Sequence, residues 1–277
     1  MEIINTITEI REFLKDKKES GFIPTMGNLH KGHLSLVKQS NKKDTCTVVS
    51  IFVNPTQFGQ GEDYGKYPRT LEKDLDELKA YNVDAVFFPD EKQMYREQEL
   101  YIVDNGDLSN NLCGKYRPGH FKGVLTIVLK FFNIIKPERA YFGRKDYQQF
   151  VLIKKMAEDF NLEIEIVPCK IVRDSDGLAL SSRNVYLSKQ ERQNALSLQK
   201  ALLETKAIYR NGELSSKEII ESAKAILNPV KIQYIELVDP DTLKNVEKVN
   251  GKTVMAIAAF AGITRLIDNT VLGEDDL

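Results

Sequence analysis

Apolar residues recur at two different periods along this chain, and the points where one period gives way to the other divide it into elements. Ile7, Ile10, Phe13 and Leu14 fall at helical spacing and are followed by Gly21 and the apolar run Phe22, Ile23, Pro24, which predicts a helix and then a strand. A second helix over about 32–43 leads into TCTVVSIFV at 45–53, whose near-continuous β-branched apolarity predicts a strand covered on both faces, as in a parallel sheet. The alternation continues with a helix at about 71–81, a strand at 84–88, a helix at about 122–135, a strand at 140–143, a helix at about 147–160 and a strand at 163–167. This rhythm predicts an α/β fold with a doubly wound, Rossmann-like parallel sheet, which binds ligands at the carboxyl ends of its strands.

Past Arg173 the rhythm changes. Helical stretches at about 189–209 and 215–227 precede strand-like runs at 232–238 and 253–260, which predicts a smaller C-terminal α+β domain. The polar, turn-forming string RDSDGLALSSRN at 173–184 marks the natural boundary, giving domains over 1–174 and 175–277. No internal repeat or low-complexity tract interrupts either part.

Composition narrows the functional classes. A chain of 277 residues, 42% hydrophobic and 29% charged, can bury a sizeable core, and two domains follow by default from a typical ~100–200 residues each. Lys plus Arg total 39 against 40 for Asp plus Glu, so no global basic field exists to drive nucleic-acid binding. Cys46, Cys113 and Cys169 are odd in number and far apart, which argues against a zinc site or a disulfide framework and fits the reduced cytoplasm. The opening MEIINTITEIREFLKDKK carries charge throughout, unlike a signal peptide, and the longest apolar run, Val254 to Ile263, is well short of the ~18 residues of a membrane span. A soluble cytoplasmic protein is expected, with neither nucleic acid nor membrane as partner.

Four strings carry candidate chemistry. PTMGNLHKGH, Pro24 to His33, lies where the first strand ends and a helix should begin, so the helix's unpaired N–H groups can meet an anion there. His30 and His33, three residues apart, share one face of a first helical turn and can both donate to a phosphate as charge builds on it. An isolated histidine at a helix start is ordinarily a cap or a solvated side chain, but a pair set beside Gly27 and Gly32 at a strand end is not isolated. A zinc site would need further ligands that nothing nearby supplies. LSSRN, Leu180 to Asn184, offers two hydroxyls and a guanidinium to phosphate oxygens, although alone it reads as an ordinary turn. YFGRKDYQQ, Tyr141 to Gln149, again at a strand end, presents Lys145 as a point charge and Asp146 as a helix cap or a partner for a nucleotide hydroxyl. IFVNPTQF, Ile51 to Phe58, places the neutral amides of Asn54 and Gln57 at a strand terminus, where they can bind a carboxylate and leave it nucleophilic.

Other matches fail on spacing. GQGEDYG at 59–65 lacks a dinucleotide fingerprint and reads as a mobile flap, GKT at 251–253 would need glycine where Val246 stands, and Ser181 and Ser182 have no nucleophile elbow.

Taken together, the H-x-G-H loop, the N-P-T-Q-F strand end, the G-x-K-D-Y-Q-Q segment and the L-S-S-R-N loop stand in the order and rough spacing of the pantothenate synthetase family, a resemblance that covers nearly the whole chain. The histidine motif alone resembles only the wider HIGH-motif nucleotidyltransferases, and the amide-bearing segments narrow it. The resemblance implies an AMP-forming acid–amine ligase that activates pantoate with ATP as pantoyl adenylate, then transfers the acyl group to β-alanine. It implies ATP contacts from Met26, Gly27, Asn28, Leu29, His30, Lys31, Gly32 and His33, from Gly143, Arg144, Lys145 and Asp146, from Val172 near the adenine, and from Leu180, Ser181, Ser182 and Arg183 folding over the triphosphate. His33, His30 and Lys145 would be catalytic, and Gln57 and Gln149, with Asn54 and Arg117, would hold pantoate or β-alanine. Arg144 stands where relatives are often acidic, and Lys73 precedes Asp74 where some relatives carry paired aspartates near magnesium. No protein metal ligand is therefore assigned, and Mg²⁺ is expected on the ATP phosphates. A homodimer is expected from the resemblance alone. The rival readings are a cytidylyl- or adenylyltransferase, which should want a cationic acceptor pocket, a nucleotide-binding module without turnover, and a tRNA synthetase, for which no basic appendage is evident.

Overall fold

Strands and helices alternate from the first residues of the computed structural model, which describes residues 1–95, 103–104 and 106–274. In chain order the first half runs β1 (Glu2–Ile4), α1 (Ile7–Leu14), β2 (Ser20–Thr25), α2 (Lys31–Lys43), β3 (Cys46–Ile51), α3 (Leu71–Ala80) and β4 (Ala85–Phe87). Three short helical turns follow, α4 (Glu91–Met94), α5 (Gly106–Ser109) and α6 (Leu112–Tyr116), then α7 (His120–Ile135), β5 (Arg139–Gly143), α8 (Tyr147–Asp159) and β6 (Glu165–Cys169). The strands form a parallel sheet in the order β1-β4-β3-β2-β5-β6.

The sheet is covered on both faces, as the unbroken apolar runs require. Phe22, Val48, Phe87, Ala140 and Phe142 point to the side held by α1, α7 and α8, while their neighbours Ile23, Val49, Val86 and Tyr141 point to the side of α2 and α3. Strand order reverses between β2 and β5, which pair directly through Gly21–Arg139 and Phe22–Ala140. The loops leaving these two strands diverge to opposite faces and open a crevice between them, the usual ligand position in a doubly wound sheet.

The second half holds α9 (Lys189–Arg210), α10 (Ser216–Ile226), β7 (Lys231–Val238), β8 (Thr253–Ala261) and β9 (Thr264–Leu272). The strands make an antiparallel sheet in the order β7-β8-β9. One face packs under α9 and α10 through Leu198, Leu202, Ile219, Ile257 and Leu266. The other, bearing Val254, Ala256, Ala258 and Val271, packs against Leu112 of α6 and Val151 of α8, so the small sheet is docked onto helices that flank the large one.

The structure departs from the sequence reading in three places. β6 spans Glu165–Cys169 rather than 163–167, because Gly143 pairs with Cys169 and carries the strand beyond Pro168, which an edge strand tolerates. β9 was not expected as a strand, since Asp268, Asn269 and Thr270 interrupt its apolar pattern. β1 and the turns α4 to α6 are too short to leave a periodic signal.

Candidate active site

The loop after β2 is held in an unusual backbone shape. Asn28 adopts a left-handed conformation with φ of 49°, and buried Asp74 on α3 accepts hydrogen bonds from the N–H groups of Asn28 at 2.8 Å and Leu29 at 2.7 Å. Both carboxylate oxygens of Asp74 are thereby engaged. α2 then starts with His30 as its N-cap, whose Nδ1 accepts from the Gly32 N–H at 3.1 Å. A Cβ at position 32 would lie 2.7 Å from Cε1 of that imidazole, so glycine there is what lets the ring turn back onto the helix. His33 follows one turn later, its ring stacked on that of His30 with centroids 4.0 Å apart and planes inclined by 27°.

This packing fixes the protonation of both rings. Burial and the charge of Lys145 lower the His30 pKa to about 4, and burial, the adjacent His30 and Lys145 hold His33 well below its ordinary value. With Nδ1 of His30 accepting, the neutral ring carries its proton on Nε2 and can donate it to a ligand. Among the described residues Nδ1 of His33 is buried without a hydrogen-bond partner, a polar atom that packing alone does not explain.

The loop of the serine-arginine string meets this one directly. Nδ2 of Asn28 donates to the Ser182 carbonyl at 3.3 Å, and Oγ of Ser182 donates back to the Asn28 carbonyl at 3.2 Å. Ser181 caps the 3-10 turn Ser182–Tyr186 by accepting from the Arg183 N–H at 3.3 Å. The Arg183 guanidinium makes a forked pair with Asp63, at 3.0 and 2.8 Å.

A cleft of ≈ 240 Å³ opens over the crevice. Met26, His30, Gly32, His33, Asn54, Gln57, Gly143, Lys145, Asp146, Gln149, Val172, Leu180, Ser181, Ser182 and Arg183 line it. A Cβ at Gly143 would meet none of the described residues within 4 Å, so that strand end faces open space. Asp146 stands at the N-cap of α8 without making a capping hydrogen bond, and its carboxylate lies 3.4 Å from the Lys145 ammonium.

Other residues singled out in the sequence lie elsewhere. Gly27, Asn28 and Leu29 form the backbone behind the cleft rather than its lining, Lys31 is exposed on α2, and Arg144 pairs with Glu274 beyond the small sheet. Arg117 lines a neighbouring pocket of ≈ 80 Å³, which shares Lys145, Asp146, Gln149, Ser181 and Arg183 with the cleft. Its guanidinium forks onto Glu62 at 2.6 and 2.5 Å and reaches Nε2 of His120 at 2.9 Å.

The polar end of β3 is organised around Asn54, which is 1% exposed. Its Nδ2 donates to Oε1 of Gln57 and to the Gly123 carbonyl, both at 3.1 Å, while its Oδ1 accepts from Thr56 Oγ1 at 2.9 Å and Tyr95 Oη at 2.6 Å. Asn54 therefore has no hydrogen left for a ligand; it aims the Gln57 amide, whose Nε2 faces Sδ of Met26 at 3.1 Å. The third histidine completes the wall. His120 Nδ1 lies 2.7 Å from the Gln57 carbonyl and donates to it, and burial together with the charge of Arg117 lowers its pKa to about 4.

Sequence reasoning passed over Tyr67 and Lys170, which line the cleft, and gave no role to Glu62, Asp63 or His120. The glycine-flanked acid pair at 62–63, so soon after the N-P-T-Q-F string, was the available signal. Instead of standing free, this segment is tied by Glu62 to Arg117 and by Asp63 to Arg183. Burial opposes ionisation of both acids, yet the paired guanidinium groups hold each carboxyl below its usual value.

Comparison with known proteins adds an independent line. The family model described as pantoate-beta-alanine ligase matches residues 2–271. A pantothenate synthetase of Pseudothermotoga lettingae is 50% identical, covering 99% of this chain and 100% of its own length. The crystal structure of pantothenate synthetase from Thermus thermophilus superposes with a TM-score of 0.94 at 40% identity, covering 98% of this chain and 99% of that one. A pantoate-beta-alanine ligase from Francisella tularensis, complexed with beta-gamma ATP and beta-alanine, superposes with a TM-score of 0.82 at 36% identity, covering 98% and 97% of the two chains.

Proposed function

The chain belongs to the pantoate-beta-alanine ligase family, and from that premise we infer that it joins pantoate to β-alanine with cleavage of ATP, through pantoyl adenylate, releasing AMP and pyrophosphate. The observation that carries the assignment of the site is the Asn28–Ser182 exchange, which seats the histidine loop and the serine-arginine loop on one cleft.

In the first step a pantoate carboxylate oxygen bonds to the α-phosphorus of ATP while the bond from that phosphorus to the bridging oxygen breaks and pyrophosphate leaves. The Nε2–H of His30, the ring of His33 and the Lys145 ammonium supply donors and positive charge where negative charge grows, in a site that needs no rearrangement to do so. Arg183 with Ser181 and Ser182 binds the departing phosphates, taking the place that Asp63 occupies on the guanidinium. Gln57 and Gln149 hold pantoate through neutral amides, so its carboxylate keeps the electron density it needs to attack. Asn54 acts through Gln57.

In the second step the β-alanine amine, as the free base, attacks the acyl carbon, the bond to AMP breaks, and the amine loses a proton. The pocket beside Arg117 and His120 adjoins the cleft through shared walls and supports entry of β-alanine from that side once the adenylate fills the cleft.

Mg²⁺ is assigned to the ATP phosphates, where it would offset their charge. Asp74 engages both oxygens with backbone N–H groups, which supports assigning no protein ligand to the ion. Lys145 and Arg183, as cations, would bind phosphate oxygens and not the ion. The division into 1–174 and 175–277 is kept for the functional domains, on the support that the two sheets have separate cores. The three buried free thiols support a cytoplasmic setting, and a homodimer remains the expectation from the family.

Pyrophosphate–ATP isotope exchange tests the assignment. Exchange that requires pantoate and proceeds without β-alanine is the expected result. No exchange, or exchange only when β-alanine is present, would remove the adenylate from the scheme.

A further inference from the structure

Lys145 reaches the cleft from a 3-10 turn, Arg144–Asp146, that the far sheet holds in place. Asn269 on β9 is buried, and its side-chain amide donates to the carbonyls of Arg144 at 2.9 Å and Lys145 at 2.8 Å. An amide NH₂ has two hydrogens, and here each meets one of two successive carbonyls, a match that an aspartate cannot make.

The anchor is itself anchored. Asp268, on the opposite face of the strand, accepts the Asn269 N–H at 2.8 Å and a fork from Arg173 at 2.6 and 3.0 Å. Arg173 also donates to the Gly177 carbonyl at 3.2 Å, within the hairpin that leads into Ser181–Arg183. Two neighbouring residues of β9 thus tie the turn bearing Lys145 to the loop bearing Arg183. β9 is itself paired with β8 along its whole length.

A lysine is a point charge on a flexible stem, and the Lys145 ammonium lies in the cleft 3.4 Å from the carboxylate of Asp146, which lines the cleft too. Where the ammonium lies therefore depends on how its backbone is held. We propose that Asn269 is a positioning residue for adenylation: its amide clamps the Arg144–Lys145 backbone so that the Lys145 ammonium meets the charge developing at the reacting phosphate. This rests on the role given to Lys145 above.

The test is a mutant cycle in the pantoate-dependent exchange reaction, run below the unfolding temperature of each variant. Misplacing a reacting group by about 1 Å can cost ~100-fold, so Asn269→Ala is expected to lower exchange kcat by ~30-fold or more with KM for ATP and pantoate within ~3-fold. Asn269→Ser, with one donor in place of two, should fall between, and it serves if the alanine variant is too unstable to assay. In a Lys145→Ala background the same change should add less than ~3-fold, because the group it aims is gone. Glu274→Gln breaks another contact between the two sheets' regions, the Arg144 pair, and should leave turnover near normal. Losses that multiply in the double mutant, an equal loss in Glu274→Gln, or normal kcat in Asn269→Ala and Asn269→Ser would overturn the proposal. Near-normal exchange in Lys145→Ala alone would remove Lys145 from the chemistry and the proposal with it. An impaired Lys145→Ala beside unimpaired Asn269 variants would leave the lysine's role standing and reject only the clamp.

Discussion

Asn28 and Ser182, 154 positions apart, exchange two hydrogen bonds, side chain to backbone in each direction, at 3.3 and 3.2 Å. This contact turns two unremarkable strings into one surface. It also explains why an asparagine occupies a left-handed position that glycine would fill without strain: only a side chain with a donor can reach Ser182.

Replacing Asn28 separates these two functions of the residue. Asn28→Gly loses the hydrogen bond but relaxes the backbone, whereas Asn28→Ala loses the bond and keeps the strain. Denaturant unfolding should find the alanine variant less stable than the glycine variant by about 1 kcal/mol. Both should show a raised KM for ATP, since the serine-arginine loop loses one of the two hydrogen bonds that tether it and keeps only the one from Ser182 Oγ to the Asn28 carbonyl. Equal stability of the two variants would mean that the loop relaxes to another shape.

His33→Ala removes a preorganised donor while leaving the cap of α2, which belongs to His30. A fall of about 10²- to 10³-fold in kcat, about 3–4 kcal/mol of transition-state stabilisation, is expected with circular dichroism and the unfolding transition retained. Turnover within a few-fold of the parent would take His33 out of the mechanism.

The pH behaviour of the histidines is open to direct observation because the chain has three. Burial, then the charges of Lys145 and Arg117 respectively, place His30 and His120 at about 4, below the 6.5 of an unperturbed ring. The unfolded chain therefore binds more protons than the folded one between these values. The stability contributed by the neutral rings is complete above pH 6.5 and declines as pH falls towards 4. NMR titration of the imidazole resonances should give midpoints near 4 for His30 and His120, and the melting temperature should drop over that window. A His30 midpoint between 6 and 7 would contradict the neutral Nε2–H donor.

Gly123 on α7 is a close-packing position rather than a turn. A Cβ there would lie 2.4 Å from the Thr56 carbonyl oxygen and 2.6 Å from the Gln57 nitrogen, all backbone, so Gly123→Ala must push the Asn54–Gln57 segment away from the helix. The Asn54 to Gly123 hydrogen bond would go with it. A rise in KM for pantoate of ~10-fold or more is expected, with KM for ATP little changed, as overpacking of about 1–3 kcal/mol is partly taken up by the moving segment. An unchanged KM for pantoate would show that Gln57 does not hold that substrate.

The parts of this molecule that were legible in its sequence are those whose signal is local. β3 announces itself because both its faces are buried and every residue from Cys46 to Ile51 is enclosed. The histidine pair announces itself because strand, turn and helix start are consecutive in the chain. β9 was hidden by Asp268 and Asn269, polar residues buried for the sake of partners in another part of the fold. Glu62, Asp63 and His120 were hidden for the same reason: their partners stand 55, 120 and 63 positions away, and no periodicity records such pairings.

The central claim is that the pantoate carboxylate itself attacks the α-phosphorus, and the fate of its oxygens tests this most directly. Pantoate carrying ¹⁸O in both carboxylate positions would be turned over with ATP and unlabelled β-alanine, and the masses of the products measured. Attack by the carboxylate places one labelled oxygen in the AMP phosphate and leaves the other in the amide carbonyl of the product. Unlabelled AMP, with the heavy oxygen in pyrophosphate or free phosphate, would contradict it.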